Sequence, residues 1–141
     1  MKHLFRHLVV VAAVVGAFWA ATAWPRLNDV ETGKTPEYPE LRVRDYGASM
    51  DTVVASVKTL AGRLPRWEVI GAGKGPSGAE IQLVHTTPVL RFKDDVTVRI
   101  RREGGRTSVS VRSKSRVGKW DFGQNARNVR ELLDALDHEV F

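Results

Sequence analysis

From Asp94 to Arg116 the chain alternates polar and apolar residues, breaks at Gly104-Gly105, and alternates again. A period of two predicts two half-buried strands, and the glycine pair predicts a two-residue primed turn between them. That turn sets a register. Ile100 falls opposite Val109 and Val98 opposite Val111 on one face. Arg99 faces Ser110, Thr97 faces Arg112 and Asp95 faces Lys114 on the other. A slip of one residue would set valines against arginines, so pattern and turn agree.

Two stretches carry the helical period instead. In "SMDTVVASVKTLAGRLP", Val53, Val57, Leu60 and Leu64 share a face, with Val54 and Ala61 beside them. Ser49 or Asp51 can cap this helix, and Gly62 with Pro65 ends it. Near the C-terminus Ala126, Val129, Leu132, Leu133, Leu136 and Val140 form a second stripe. Asp121 is placed to be its N-cap, with Gln124 as capping-box partner. "LRVRDY" reads as a short first strand, and "RWEVIGAGKGPSGAEIQLVHTT" as strand, glycine-rich hairpin loop and strand. The order strand, helix, four strands, helix predicts an α+β domain: an antiparallel four- to five-stranded sheet with two helices on one face. That order resembles helix-grip folds, some of which hold lipid between sheet and helix.

The N-terminal end has neither period. "MKHLFRH" carries Lys2 and Arg6, and Leu8 to Trp24 then runs seventeen residues without a charge. Charge followed by a long apolar run is the layout of an export signal. With Leu4 and Phe5 it approaches the roughly 20 residues that span a bilayer, so a transmembrane helix is expected. Ala21-Thr22-Ala23 is a small-x-small site, but Trp24 and Pro25 directly behind it favour an uncleaved signal anchor. "PRLNDVETGKTPEYPEL" has three prolines and few apolar residues, which predicts an extended tether. The expected organisation is an anchor over residues 1–24, a tether over 25–41 and a folded domain over 42–141. Lys2 and Arg6 ahead of the run place the N-terminus in the cytoplasm and the domain in the periplasm, at a bacterial inner membrane.

Composition narrows the function. Without cysteine there is no disulfide, thiolate metal site or cysteine nucleophile. Leaving out Lys2 and Arg6, 20 basic residues stand against 16 acidic ones, far from the charge of a nucleic-acid binder. Nor do aromatics interleave with the basic residues to stack bases. The glycine-rich stretch from Gly71 to Gly78 precedes a strand rather than a helix, so it is no dinucleotide loop, and Lys74 lacks the following Ser or Thr of a Walker motif. Asp121-Phe122-Gly123 is also the magnesium-holding triplet of protein kinases, but the other kinase motifs are missing. No metal-ligand spacing appears, and no cofactor is expected. Asp94 and Asp95 point to opposite faces of a strand and cannot act as paired carboxylates. His3 and His7 belong to the apolar segment, His138 lies on the last helical turn, and His85 reads as structural.

Two candidate surfaces remain. Arg99, Arg101, Arg112, Lys114 and Arg116 share the polar face of the hairpin, where they form either a solvated face or a contact for anionic lipid, an envelope polymer or an acidic partner. Asp94, Ser113 and Ser115 lie on the core parity beyond the last valines and point toward Asp121, Asn125 and Arg127 at the start of the last helix. This corner is either a hydrogen-bond network that fixes the strand-to-helix join, or a polar pocket, or a catalytic site.

"LNDVETG", "TPVLRFKDDVTVRI" and "VRSKSRVGKWDFGQNARNVRELLDAL" together resemble the envelope family called domain of unknown function fourteen ninety-nine. The resemblance covers about four-fifths of the chain. Members tend to carry a small residue where Lys119-Trp120 stands here. It implies an envelope protein with one such domain, and no activity. The expectation is therefore a membrane-anchored periplasmic binding or accessory domain. The alternatives are an enzyme using the Asp94/Asp121/Asn125 corner, and a small single-helix subunit of a membrane complex.

Overall fold

The computed structural model describes the backbone of residues 2–141 and all their side chains except those at 2, 20 and 21. The chain runs α1 (Lys2–Ala23), β1 (Asp29–Glu31), β2 (Arg44–Tyr46), α2 (Met50–Arg63), β3 (Trp67–Gly75), β4 (Gly78–Thr86), β5 (Lys93–Glu103), β6 (Arg106–Ser115) and α3 (Gln124–Val140). Lys2 of the basic N-terminus and Ala21 of the small-x-small site lie outside the described side chains.

The β5–β6 hairpin has the register that its valines and glycines predict. Ile100 pairs with Val109, Val98 with Val111, Arg99 with Ser110, Thr97 with Arg112 and Asp95 with Lys114. Gly104 and Gly105 have φ of 54° and 81°, and the two positive values are what a primed turn needs. Six antiparallel strands follow the order β1-β6-β5-β4-β3, with β2 also paired to β6. Ile81, Leu83, Val96, Val98, Ile100, Val109 and Val111 point to one face and are buried. Val53, Val57 and Leu60 of α2 and Val129, Leu132, Leu133 and Leu136 of α3 cover them. The result is a two-layer α+β fold with α2 and α3 on one side of the sheet.

Four expectations need correction. The sheet has six strands, not four or five. The extra strand comes from the segment read as a tether. Asp29, Val30 and Glu31 pair with Lys114, Ser113 and Arg112, and Val30 and Leu41 are buried at 1% and 3% exposure. Residues 25–41 are thus partly built into the sheet edge. β1 and β2 lie end to end along β6 and together make one interrupted edge strand. The glycine-rich stretch is strand rather than loop: Gly71 and Gly73 are paired residues of β3, with an irregularity between Val69 and Gly71, and the turn is confined to Pro76 and Ser77. Asp121 is not the N-cap of α3, because Gly123 holds that place with φ 77°. The Asp121 carboxylate still reaches over it, accepting from the backbone N–H of Gly123 at 2.8 Å and of Asn125 at 2.7 Å. Gln124 turns to Asn128 and Arg127 instead of closing a capping box.

The apolar N-terminal run forms α1, 22 residues long. Among the described residues no helix is long and apolar enough to cross a membrane. The segment that follows α1 is joined to the domain. Asn28 donates to the Gly118 carbonyl at 2.6 Å, the N–H of Asp121 to the Leu27 carbonyl at 2.9 Å, and the Arg26 guanidinium lies 5.4 Å from the Trp120 ring centre.

Candidate functional site

Strand register builds the corner. One row across the sheet runs Trp67, His85, Asp94, Ser115, each paired with the next. The neighbouring row is Leu83, Val96, Ser113, Val30. Core parity therefore passes from apolar to polar at this end of the sheet, under the first turns of α3. Asn125 and Asn128 are three residues apart on that helix and share its inner face.

Both asparagines are fully buried, and their amides tie the corner together. Ser113 Oγ donates to Asn125 Oδ1 at 2.6 Å and accepts from Asn128 Nδ2 at 3.1 Å. Asn128 Nδ2 also donates to Asp94 Oδ2 at 2.8 Å. Asn125 Nδ2 reaches Ser115 Oγ at 2.8 Å, Asp121 Oδ2 at 2.6 Å and the Asn28 carbonyl at 3.1 Å. Asp94, Ser113, Ser115, Asp121 and Asn125 are thus brought together as their parity implied. Arg127 is not: it is exposed and donates to the Phe122 carbonyl and Gln124 Oε1. Asn128, His85 and Trp120 join the corner without having been singled out for it. Asn128 carried a usable signal, one helical turn from Asn125.

Among the described residues, two buried polar atoms here have no hydrogen-bond partner, His85 Nδ1 and Trp120 Nε1. His85 is 2% exposed. Its ring packs against Trp67 at 5.1 Å, and Nδ1 stands 3.9 Å from Asp94 Oδ2, beyond hydrogen-bond length. A cavity of about 310 Å³ opens at Trp120, with Phe92, Asp94, Ser115, Val117 and Asp121 also in its wall. Among the described residues no lysine or arginine lines it. Both Asp121 oxygens are occupied by the α3 N-terminus and Asn125. Among the described residues Asp94 receives one side-chain donor, Asn128. Ser113 and Ser115 both accept from asparagine amides, so the cluster is rich in acceptors and orienting amides.

The basic face has a different character from the one expected. Arg112 is held by Asp29 of β1, its Nε donating at 2.9 Å, and Lys114 lies 3.9 Å from the same carboxylate. Arg99 reaches Glu31 at 3.4 Å and Glu80 at 3.2 Å. Arg116 pairs with Asp95 at 2.7 Å. Of the five cations, Arg101 alone has no carboxylate partner among the described residues. β1 and β4 bring acids across the strand and Asp95 adds one from β5, so the face is a nearly balanced mosaic.

The Arg112 guanidinium hydrogen-bonds Asp29 and, with Lys114, holds its carboxyl below the usual carboxylate range. A depressed folded-state pKa contributes stability above the unfolded value, near 4, and that contribution is lost as pH falls through the folded one. Asp29→Asn should therefore flatten the fall in stability below about pH 4 and lower stability at neutral pH. Urea melts of wild type and variant between neutral pH and that range check this, and parallel acid limbs would remove Asp29 from the account.

The sequence pattern of a family described as protein of unknown function (DUF1499) matches residues 20–136. A crystal structure of CalU16 from Micromonospora echinospora is similar at 14% identity over 70% of this chain and 73% of that one, with a TM-score of 0.45. No curated protein matches the chain.

Proposed function

The chain belongs to the DUF1499 family of proteins of unknown function, and from that premise we propose that it is a binding domain whose ligand site is the corner cavity at Asp94. In this reading α1 holds it at the bacterial inner membrane, with residues 25–141 in the periplasm. The observation that carries it is the Asp94 carboxylate, 1% exposed, in a cavity wall that it shares with Trp120, whose buried Nε1–H has no partner among the described residues. Leaving a buried polar atom unpaired costs about 1–3 kcal/mol, and native folds pair nearly all such atoms. A bound group that accepts from Trp120 Nε1 relieves that cost.

The wall chemistry defines the ligand class. Two carboxylates and no cation exclude an anion. The ligand is neutral or cationic, with a hydrogen-bond donor for Asp94, an acceptor for Trp120 Nε1 and an apolar portion against Phe92 and Val117. Catalysis by Asp94, Asp121 and Asn125 has less support, because Asp121 and Asn125 already spend their polar atoms on the fold. Attachment through α1 is supported by its unpartnered apolar surface: Leu4, Phe5, Leu8, Val14, Phe18 and Trp19 are each more than 60% exposed, a surface that water disfavours.

Native mass spectrometry of the full chain, released from mild detergent, tests the site. Wild type is expected to carry an added mass that Asp94→Asn has lost, while both melt within a few degrees of each other. Bare wild-type chain, or an adduct that Asp94→Asn leaves undiminished, overturns the assignment.

A further inference from the structure

At the cavity end of the sheet the surface changes from mosaic to apolar. The loop between β4 and β5 exposes Val89 at 84%, Leu90 at 68% and Phe92 at 48%. Beyond β6, Val117 is 54% exposed and Phe122 46%. The two segments are adjacent, for the N–H of Arg116 donates to the Lys93 carbonyl at 3.0 Å and Phe92 and Val117 line the same cavity. Together they form one apolar projection, and folding gains nothing from leaving it in water.

What covers it is indicated by its neighbours. Trp24, the residue after α1, packs so closely on Gly123 that a Cβ there would stand 2.6 Å from its ring. The C-terminal end of α1 therefore sits against the loop that carries Val117 and Phe122. Arg26, Arg91, Lys93 and Lys119 are exposed around the projection. Apolar side chains ringed by Lys and Arg, next to an interfacial tryptophan, match the boundary between acyl chains and anionic headgroups. Arg91 has φ 57°, a left-handed conformation that L-residues seldom adopt, and it turns the loop between Leu90 and Phe92.

We infer that the Thr87–Phe92 loop, with Val117 and Phe122, is a second bilayer contact that docks the domain, cavity end first, onto the anionic membrane holding α1. The inference rests on the membrane attachment proposed above. It also moves the lipid-facing surface from the hairpin face to the cavity end of the sheet, beside the end of α1.

The absence of cysteine allows a single label at any position. The full chain is reconstituted into vesicles of phosphatidylethanolamine and phosphatidylglycerol as Leu90→Cys, Ser77→Cys or Phe18→Cys, each carrying an environment-sensitive fluorophore. Position 90 is expected to shift to the blue and to be quenched at least twofold by lipids with a shallow spin label. Position 77, at the far hairpin turn, is expected to show neither effect. Replacing phosphatidylglycerol by phosphatidylcholine should reduce quenching at 90 at least threefold, and Val89→Asp in the Leu90→Cys background should abolish it. If position 18 is quenched and position 90 is not, the docking surface is wrong and the anchor stands. If neither is quenched, both are wrong. A blue shift at 90 without lipid quenching means that protein covers the loop, which also overturns the inference.

Discussion

Asn125→Ala is expected to destabilise the protein by about 3 kcal/mol or more, although it removes no apolar contact of note. The side chain is fully buried and serves Ser113, Ser115, Asp121 and the Asn28 carbonyl at once. Its loss leaves several buried groups facing a void, and each unpaired group costs about 1–3 kcal/mol before relaxation or entering water offsets part of it. For a domain of this size the change corresponds to roughly 10 °C in melting temperature. Arg127→Ala, two residues on, is the matched control. Arg127 is exposed, and its loss should stay within about 0.5 kcal/mol. Circular-dichroism melts of the full chain in detergent measure both. A loss below about 1 kcal/mol for Asn125→Ala would mean that water already shares the network, and that the corner is not a structural unit.

How far the corner was legible depended on which strand pairings the sequence could fix. Gly104-Gly105 and the valines around it determine the β5–β6 register, and parity then places Asp94, Ser113 and Ser115 on the core side. Asp121 and Asn125 follow from the start of the last helix. His85 stayed outside because its pairing with Asp94 depends on the β4–β5 register. The connection there, Thr87 to Phe92, is too long to impose a turn type. Asn128 is hidden because a helical stripe shows only in its apolar positions, and a buried asparagine at the same spacing resembles a gap. Trp120 lies in a loop, where no period applies.

The pairing of the basic face was hidden for a related reason. Apart from Asp95 on the hairpin itself, the residues that neutralise it come from β1 and β4, and nothing local announces β1. Asp-Val-Glu is three residues with no run of alternation. It becomes a strand because β6 offers an unpaired edge and Val30 a side chain that fits beneath α3. The glycines of β3 misled in the opposite sense, since glycine weakens a strand interior and so reads as loop. They are tolerated at the outer edge of the sheet, where β3 pairs with β4 alone and most of its side chains are exposed. Local pattern therefore found the elements that carry their own period, and missed those that exist only because a neighbour is there.

Truncation gives the largest test of that conclusion. A fragment of residues 42–141, cut where composition suggests the domain begins, should lose at least about 3 kcal/mol relative to one of residues 26–141. It lacks Val30 and Leu41, both nearly fully buried, and burying such a side chain contributes about 1.5–3 kcal/mol. It also lacks Asp29, which holds Arg112, and Thr32, whose Oγ1 accepts from the buried N–H of Val111 at 3.1 Å. The edge of β6 from Arg112 to Lys114 is left without its partner, and an open edge next to uncovered core is prone to association. Against a typical domain stability of about 5–15 kcal/mol, the short fragment should melt far lower or aggregate, while the longer one folds. Circular dichroism and gel filtration of the two fragments decide the matter. Equal stability within about 1 kcal/mol would make residues 26–41 a tether after all, and β1 an ornament on a sheet that is complete without it.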